Sequence, residues 1–126
     1  MKLDYIDNIN EYGDNLVRLY DFDMSQADKL KQIIQNVILS NECNLDLSLL
    51  DFIQARNCNL TLRLANEDIG IITTDKINFF CDLTTEGYIK MIELLEPFCK
   101  RETNGYQYLY DIDSPTDLLF SPGGTW

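Results

Sequence analysis

From Asn59 to Leu83 the chain alternates apolar and polar side chains in short runs, and this period of two is the strongest constraint on its fold. Leu60, Leu62 and Leu64 share one face, with Thr61 and Arg63 on the other. Asn66, Glu67 and Asp68 make a turn before a second run, Ile69 to Thr74. Asp75 and Lys76 make a tight turn, after which Ile77, Phe79, Cys81 and Leu83 alternate against Asn78, Phe80 and Asp82. Turns this short suit antiparallel neighbours, because parallel neighbours need long crossovers. The segment is therefore expected to be a three-stranded meander with one apolar face.

Helical periodicity flanks it on both sides. Leu30, Ile33, Ile34, Val37 and Ile38 form one apolar stripe, led by Ser25 and Asp28 in capping-box spacing and ending near Ser40-Asn41. Tyr88, Met91, Ile92, Leu95, Phe98 and Cys99 form a second stripe, capped by Thr84 or Thr85. Pro97 is expected to end or kink that helix. Leu16–Phe22, Leu49–Ile53 and Tyr106–Ile112 read as further strands, and Leu118–Phe120 as a short edge segment. The opening segment to Asp14 reads as irregular, with Leu3, Tyr5, Ile6 and Ile9 either docking on the body or forming a short helical turn.

The element order is β-α-β-β-β-β-α-β. With one stripe per helix and one apolar face on the meander, the expected architecture is a two-layer α+β domain. Two helices pack on one face of a mostly antiparallel sheet of about five strands. At 126 residues there is room for a single domain, 1–126, and no linker or repeat divides it.

Charge limits the function. The net charge is −11 and the acidic residues are spread along the chain rather than gathered in a tail. A field of this sign repels phosphate backbones and anionic membrane surfaces, so neither nucleic acid nor membrane is an expected partner. The chain has no histidine, which removes the commonest general base and metal ligand. Cys43, Cys58, Cys81 and Cys99 lie far apart in sequence, without the paired spacing of a structural zinc site. No leader or long apolar run is visible, so reduced thiols and a cytoplasmic location are expected.

Four segments carry residues that could form a site. Asp21-Phe22-Asp23-Met24-Ser25 resembles the D-x-D-x-S opening of haloacid-dehalogenase-type phosphotransferases, where one carboxylate attacks phosphorus beside Mg²⁺. The downstream lysine and later acidic pair of that family do not follow, and caps for the next helix explain the same residues. Asp4, Asp7, Glu11 and Asp14, with Asn8 and Asn10, are rich in oxygen ligands but lack EF-hand spacing. Ser121-Pro122-Gly123-Gly124-Thr125-Trp126 lacks the lysine of a P-loop, and Trp126 is expected to fold back on the sheet. Tyr106, Tyr108 and Tyr110 alternate on one strand and are expected to form an aromatic strip. Phe80 and Ile72, facing away from the helices, would join it.

The expected function is a non-enzymatic acidic interaction module, inhibitor- or immunity-like toward a basic protein, with no cofactor and no metal. The binding residues would be Tyr106, Tyr108, Tyr110 and Phe80. The alternatives are a small Mg-dependent carboxylate enzyme working from Asp21 and Asp23, or a subunit whose open sheet face is covered by homodimerisation.

Overall fold

A computed structural model describes residues 1–7, 15–101, 105–110 and 116–123. The class is α+β, as the sequence predicts, with two α-helices and two mixed sheets of five and four strands. Strands β1 (Lys2–Ile6) and β2 (Asn15–Tyr20) belong to the first sheet. Helix α1 (Met24–Ile33) continues as a π-helical stretch, Ile34–Ser40, and leads to the second sheet. There β3 (Leu45–Asp46), β5 (Asn59–Leu64), β6 (Gly70–Thr73) and β7 (Asn78–Leu83) lie in the order β3-β5-β7-β6. Strand β4 (Gln54–Ala55) returns to the edge of the first sheet. Helix α2 (Thr85–Lys100) then leads back to β8 (Gln107–Tyr110) and β9 (Thr116–Ser121), giving the order β4-β1-β2-β9-β8.

The helices form as the stripes predict. Ala27, Leu30, Ile34 and Ile38 are buried, and Ile33 and Val37 pack partly against the same core. The π-helical hydrogen bonding widens each turn beyond the α-helical 3.6 residues, so positions four apart fall closer to one line. The cap differs from expectation. Asp23, not Ser25, accepts from the Gln26 amide at 2.9 Å, and the Gln26 side chain reaches back to the Asp23 amide. In α2, Thr84 is the cap, and the helix runs past Pro97 to Lys100. Pro97 and Glu93, whose carbonyl loses its partner, are both exposed, so water can satisfy the freed oxygen.

The expected meander is corrected. Strand β5 pairs with β7 in parallel, and β6 pairs antiparallel with the far side of β7. The linker from Ala65 to Ile69 has five residues, which reach up to roughly 17 Å and easily span two strand spacings of about 5 Å. It steps across the place that β7 later fills. The step puts Phe79, Cys81 and Leu83, all buried, on an interior strand. Backbone bonds hold it there, Ala65 N–H to the Leu83 carbonyl and Ile69 N–H to the Asp82 carbonyl, both 2.9 Å.

Three further segments depart from expectation. Leu3, Tyr5 and Ile6 lie on β1, antiparallel to β2, rather than in an irregular lead-in. Leu49–Ile53 is not a strand; a short 3₁₀ turn at Leu47–Leu49, capped by the Asp46 carboxylate on the Ser48 amide, takes its place. Strand β9 is not an edge. It lies between β2 and β8, with Leu118, Leu119 and Phe120 fully buried. Ile9, Ile112 and Trp126 lie outside the described residues.

One core joins both sheets. The ring of Tyr5 on β1 packs on Phe79 of β7 with centroids 4.7 Å apart. Phe22 stacks on Phe120, and Phe98 of α2 meets Phe120 edge to face. The inward residues of both sheets and both helices belong to this cluster.

Candidate protein-interaction surface

Because the helices and the first sheet claim the inner face of the four-stranded sheet, its outer face is left to solvent. Register places Asp46, Thr61, Phe80 and Ile72 side by side in one row across β3, β5, β7 and β6. Arg63 and Asp82 are partners in the next row. Arg63 bonds both oxygens of Asp82, at 2.7 and 2.8 Å, and its guanidinium lies 4.1 Å from the Phe80 ring centroid. The two-armed bond to Asp82 holds the guanidinium over the ring. Donating to the Asp82 carboxylate raises the Arg63 pKa further, so the cation persists at every working pH. Ile72, 37% exposed, stands beside Phe80 without such a cover. Ile69 and Ile77, at 47% and 59%, add apolar surface at the ends of the same β6–β7 hairpin.

Both ends of this face are fixed by carboxylates. Oδ1 of Asp75 accepts from the amides of Ile77 and Asn78, at 2.9 and 2.8 Å, and its Oδ2 accepts from the Asn78 side chain. These bonds hold Asp75 ionised, with its pKa down at about 2, and stabilise the left-handed backbone of Lys76 at φ 58°. At the other end, Oδ1 of Asp68 accepts from the Thr84 amide at 2.8 Å and from its hydroxyl at 2.9 Å. Thr84 Oγ1 in turn accepts from the Gly87 amide. Asp68 thus ties the β5–β6 linker to the start of α2. Below the sheet, the buried Tyr88 hydroxyl lies 2.7 Å from the Arg63 carbonyl and 2.6 Å from that of Cys81, bridging β5 and β7.

The tyrosines are not one strip. A bulge on β8 between Tyr108 and Tyr110 sets Tyr108 opposite Leu119 and Tyr110 opposite Leu118, which point to opposite faces. Tyr106 and Tyr108 meet edge to face at 5.9 Å, and Tyr106 is 54% exposed. Tyr110 packs partly against the core, its hydroxyl toward the Asp68 carbonyl at 3.4 Å. Phe80 lies in the other sheet. Ile72 takes the expected exposed place beside Phe80. Arg63 and Asp82 escaped the sequence reading, although an arginine and an aspartate on the polar face of neighbouring alternating strands were the available signal.

Three of the remaining candidate carboxylates have structural partners. Asp21, at φ 56°, pairs with Lys2 at 3.2 Å, and Asp23 is the helix cap. Asp4 binds Arg18 through both oxygens at 2.8 and 2.9 Å, with Arg18 4.0 Å over the Tyr20 ring. Asp7 is exposed, while Asn8, Asn10, Glu11 and Asp14 lie outside the described residues. The described residues hold no group of three or more His, Cys, Asp or Glu able to bind a metal. All four cysteines are free, and burial pushes the Cys58 and Cys81 thiols up to about 12. No helix among the described residues is long and apolar enough to cross a membrane. No family model, curated protein or solved structure matches this chain.

Proposed function

We propose that this chain is a non-enzymatic, acidic protein-interaction module of the cytoplasm that acts by binding a basic protein, in the manner of an inhibitor or immunity protein. The observation that carries the reading is the distribution of charge. Acidic residues outnumber basic ones by 21 to 10, and five of those ten, Lys2, Arg18, Lys31, Arg63 and Lys100, are already held in ion pairs. The surface field is therefore strongly negative. Such a field accelerates encounter with a cationic partner and deters acidic ones.

The Asp21–Asp23 enzyme alternative gains no support from the geometry. One carboxylate pairs with Lys2 and the other holds the first turn of α1, so structural partners account for both. Free, separated thiols fit a reducing compartment.

The test is capture of partners on the immobilised chain from an extract of its source cells, with salt raised from about 50 to about 500 mM NaCl, which shortens the Debye length severalfold. The expected result is a retained protein of pI above about 9 that elutes with salt. Retention only of neutral or acidic proteins, or retention indifferent to salt, contradicts the reading.

A further inference from the structure

We propose that the basic partner docks on the outer face of the four-stranded sheet, with Ile72 and Phe80 at the centre of the contact and carboxylates around it. This inference rests on the reading of the chain as a module for basic proteins and locates that activity on one surface. The face combines an exposed Ile72, beside the guanidinium-covered Phe80 ring, with unneutralised negative charge. The one lysine or arginine on its four strands, Arg63, is already bonded through both arms to Asp82, and Lys76 lies beyond them in the β6–β7 turn. Asp46 stands in the same row as the pair, Glu67 and Asp68 precede β6 and Asp75 follows it, and none of the four is in an ion pair with a described lysine or arginine. The bonds that anchor Asp68 and Asp75 come from neutral amides and hydroxyls, so their charge stays available to a partner.

Three of the four sheet edges, all but β6, fit a partner less well than this face. Strands β3 and β4 have two residues each, and β8 carries a bulge. The Asn57 side chain closes the open groups of Tyr5 beside β4, accepting from its amide at 2.8 Å and donating to its carbonyl at 2.9 Å. Short, bulged and side-chain-capped strands deter edge pairing. A second copy of the chain fits the face poorly too, since two-fold pairing would set the same carboxylates against each other. The occupant that matches is a protein surface with an apolar knob between lysines or arginines. The guanidinium-covered Phe80 ring gives that knob a rigid floor, because Asp82 and the β5–β7 pairing fix both groups.

Photo-crosslinking in source cells, followed by affinity measurement, tests this. A p-benzoylphenylalanine is installed at position 72, and at 49 and 89 in control chains, since Leu49 and Ile89 are exposed elsewhere. The proposal predicts a basic protein crosslinked from position 72 and not from 49 or 89. With that protein purified, Ile72→Thr and Ile72→Lys should weaken binding at least roughly tenfold, while Leu49→Lys should change it less than about twofold. Ile72→Thr keeps a β-branched residue on an exposed strand, so its circular dichroism should match the wild type. A basic partner crosslinked only from the controls, or bound equally by the Ile72 variants, overturns the docking surface but leaves the charge reading standing. Crosslinking of position 72 to a second copy of the chain overturns the proposed occupant. No basic partner from any position overturns both.

Discussion

Replacing Gly87 with alanine should destabilise this protein, although the same change in most helices stabilises. The usual gain is up to about 1 kcal/mol, because alanine is the better helix former. Here a Cβ at position 87 would stand 2.7 Å from Oδ1 of Asp68 and 3.0 Å from Cβ of Leu83. The Asp68 carboxylate cannot yield freely, because that same oxygen accepts from both the amide and the hydroxyl of Thr84. Moving it aside gives up bonds worth about 1–3 kcal/mol together, since one partner is charged and the site is open to water. Crowding against the fully buried Leu83 adds a smaller cost. Gly87→Ala is therefore expected to cost about 1–2 kcal/mol net. The discriminating experiment is a double-mutant cycle in urea with Asp68→Ala. Once the carboxylate is gone, only the Leu83 contact opposes the alanine, so the cost of Gly87→Ala should shrink by at least about 1 kcal/mol. Equal costs in both backgrounds, or a stabilised single variant, would refute the claim that Asp68 pins the β5–β6 linker to α2.

Stability should fall in alkali. Burial raises Cys58 and Cys81 from the ordinary 9.0 to about 12, and raises Tyr88 as well, so these acids stay neutral in the fold and ionise once it opens. The unfolded chain then binds fewer protons than the folded one, and stability present below pH 9 is lost as pH climbs toward 12, by up to ~1.4 kcal/mol per pH unit for each thiol. Urea midpoints should decline steeply from pH 9 to 11 in the wild type and less in Cys58→Ala; a flat profile contradicts the assignment. Tyr88→Phe leaves the Arg63 and Cys81 carbonyls without the bridging hydroxyl and should cost about 1–3 kcal/mol by thermal denaturation. Asp23→Ala should cost ~1 kcal/mol of stability as a lost cap, and calorimetric titration of the wild type with Mg²⁺ should give no saturable heat. A micromolar magnesium site abolished by Asp21→Asn would revive the enzyme reading.

What the sequence made legible is what local periodicity encodes. Both helix stripes, the Thr84 cap, and the inward set of Leu60, Leu62, Phe79, Cys81 and Leu83 can be read from spacing, because side-chain direction follows the backbone repeat. Strand neighbours are another matter. Short links made β5, β6 and β7 look like a meander, yet a five-residue linker is also long enough to step over a strand, and alternation is the same in either arrangement. Strand β9 was underestimated because its partner β2 lies about a hundred residues earlier. The unbroken run Leu118-Leu119-Phe120 was the available signal of a strand buried on both faces. Pro97 does not end α2, because a proline's cost depends on whether the freed carbonyl faces water. At the candidate surface, the openness of Ile72 could be read from the one-sided burial of the sheet. The bulge that parts Tyr108 from Tyr110 had no marker in the sequence.

The account stands or falls on electrostatic capture of a basic partner, and the rate of association measures that directly. Surface plasmon resonance with the purified partner, from about 25 to about 500 mM NaCl, should show the association rate falling by at least roughly tenfold while the dissociation rate changes far less. An association rate that stays flat across that range would mean that the negative charge of this chain does not recruit its partner.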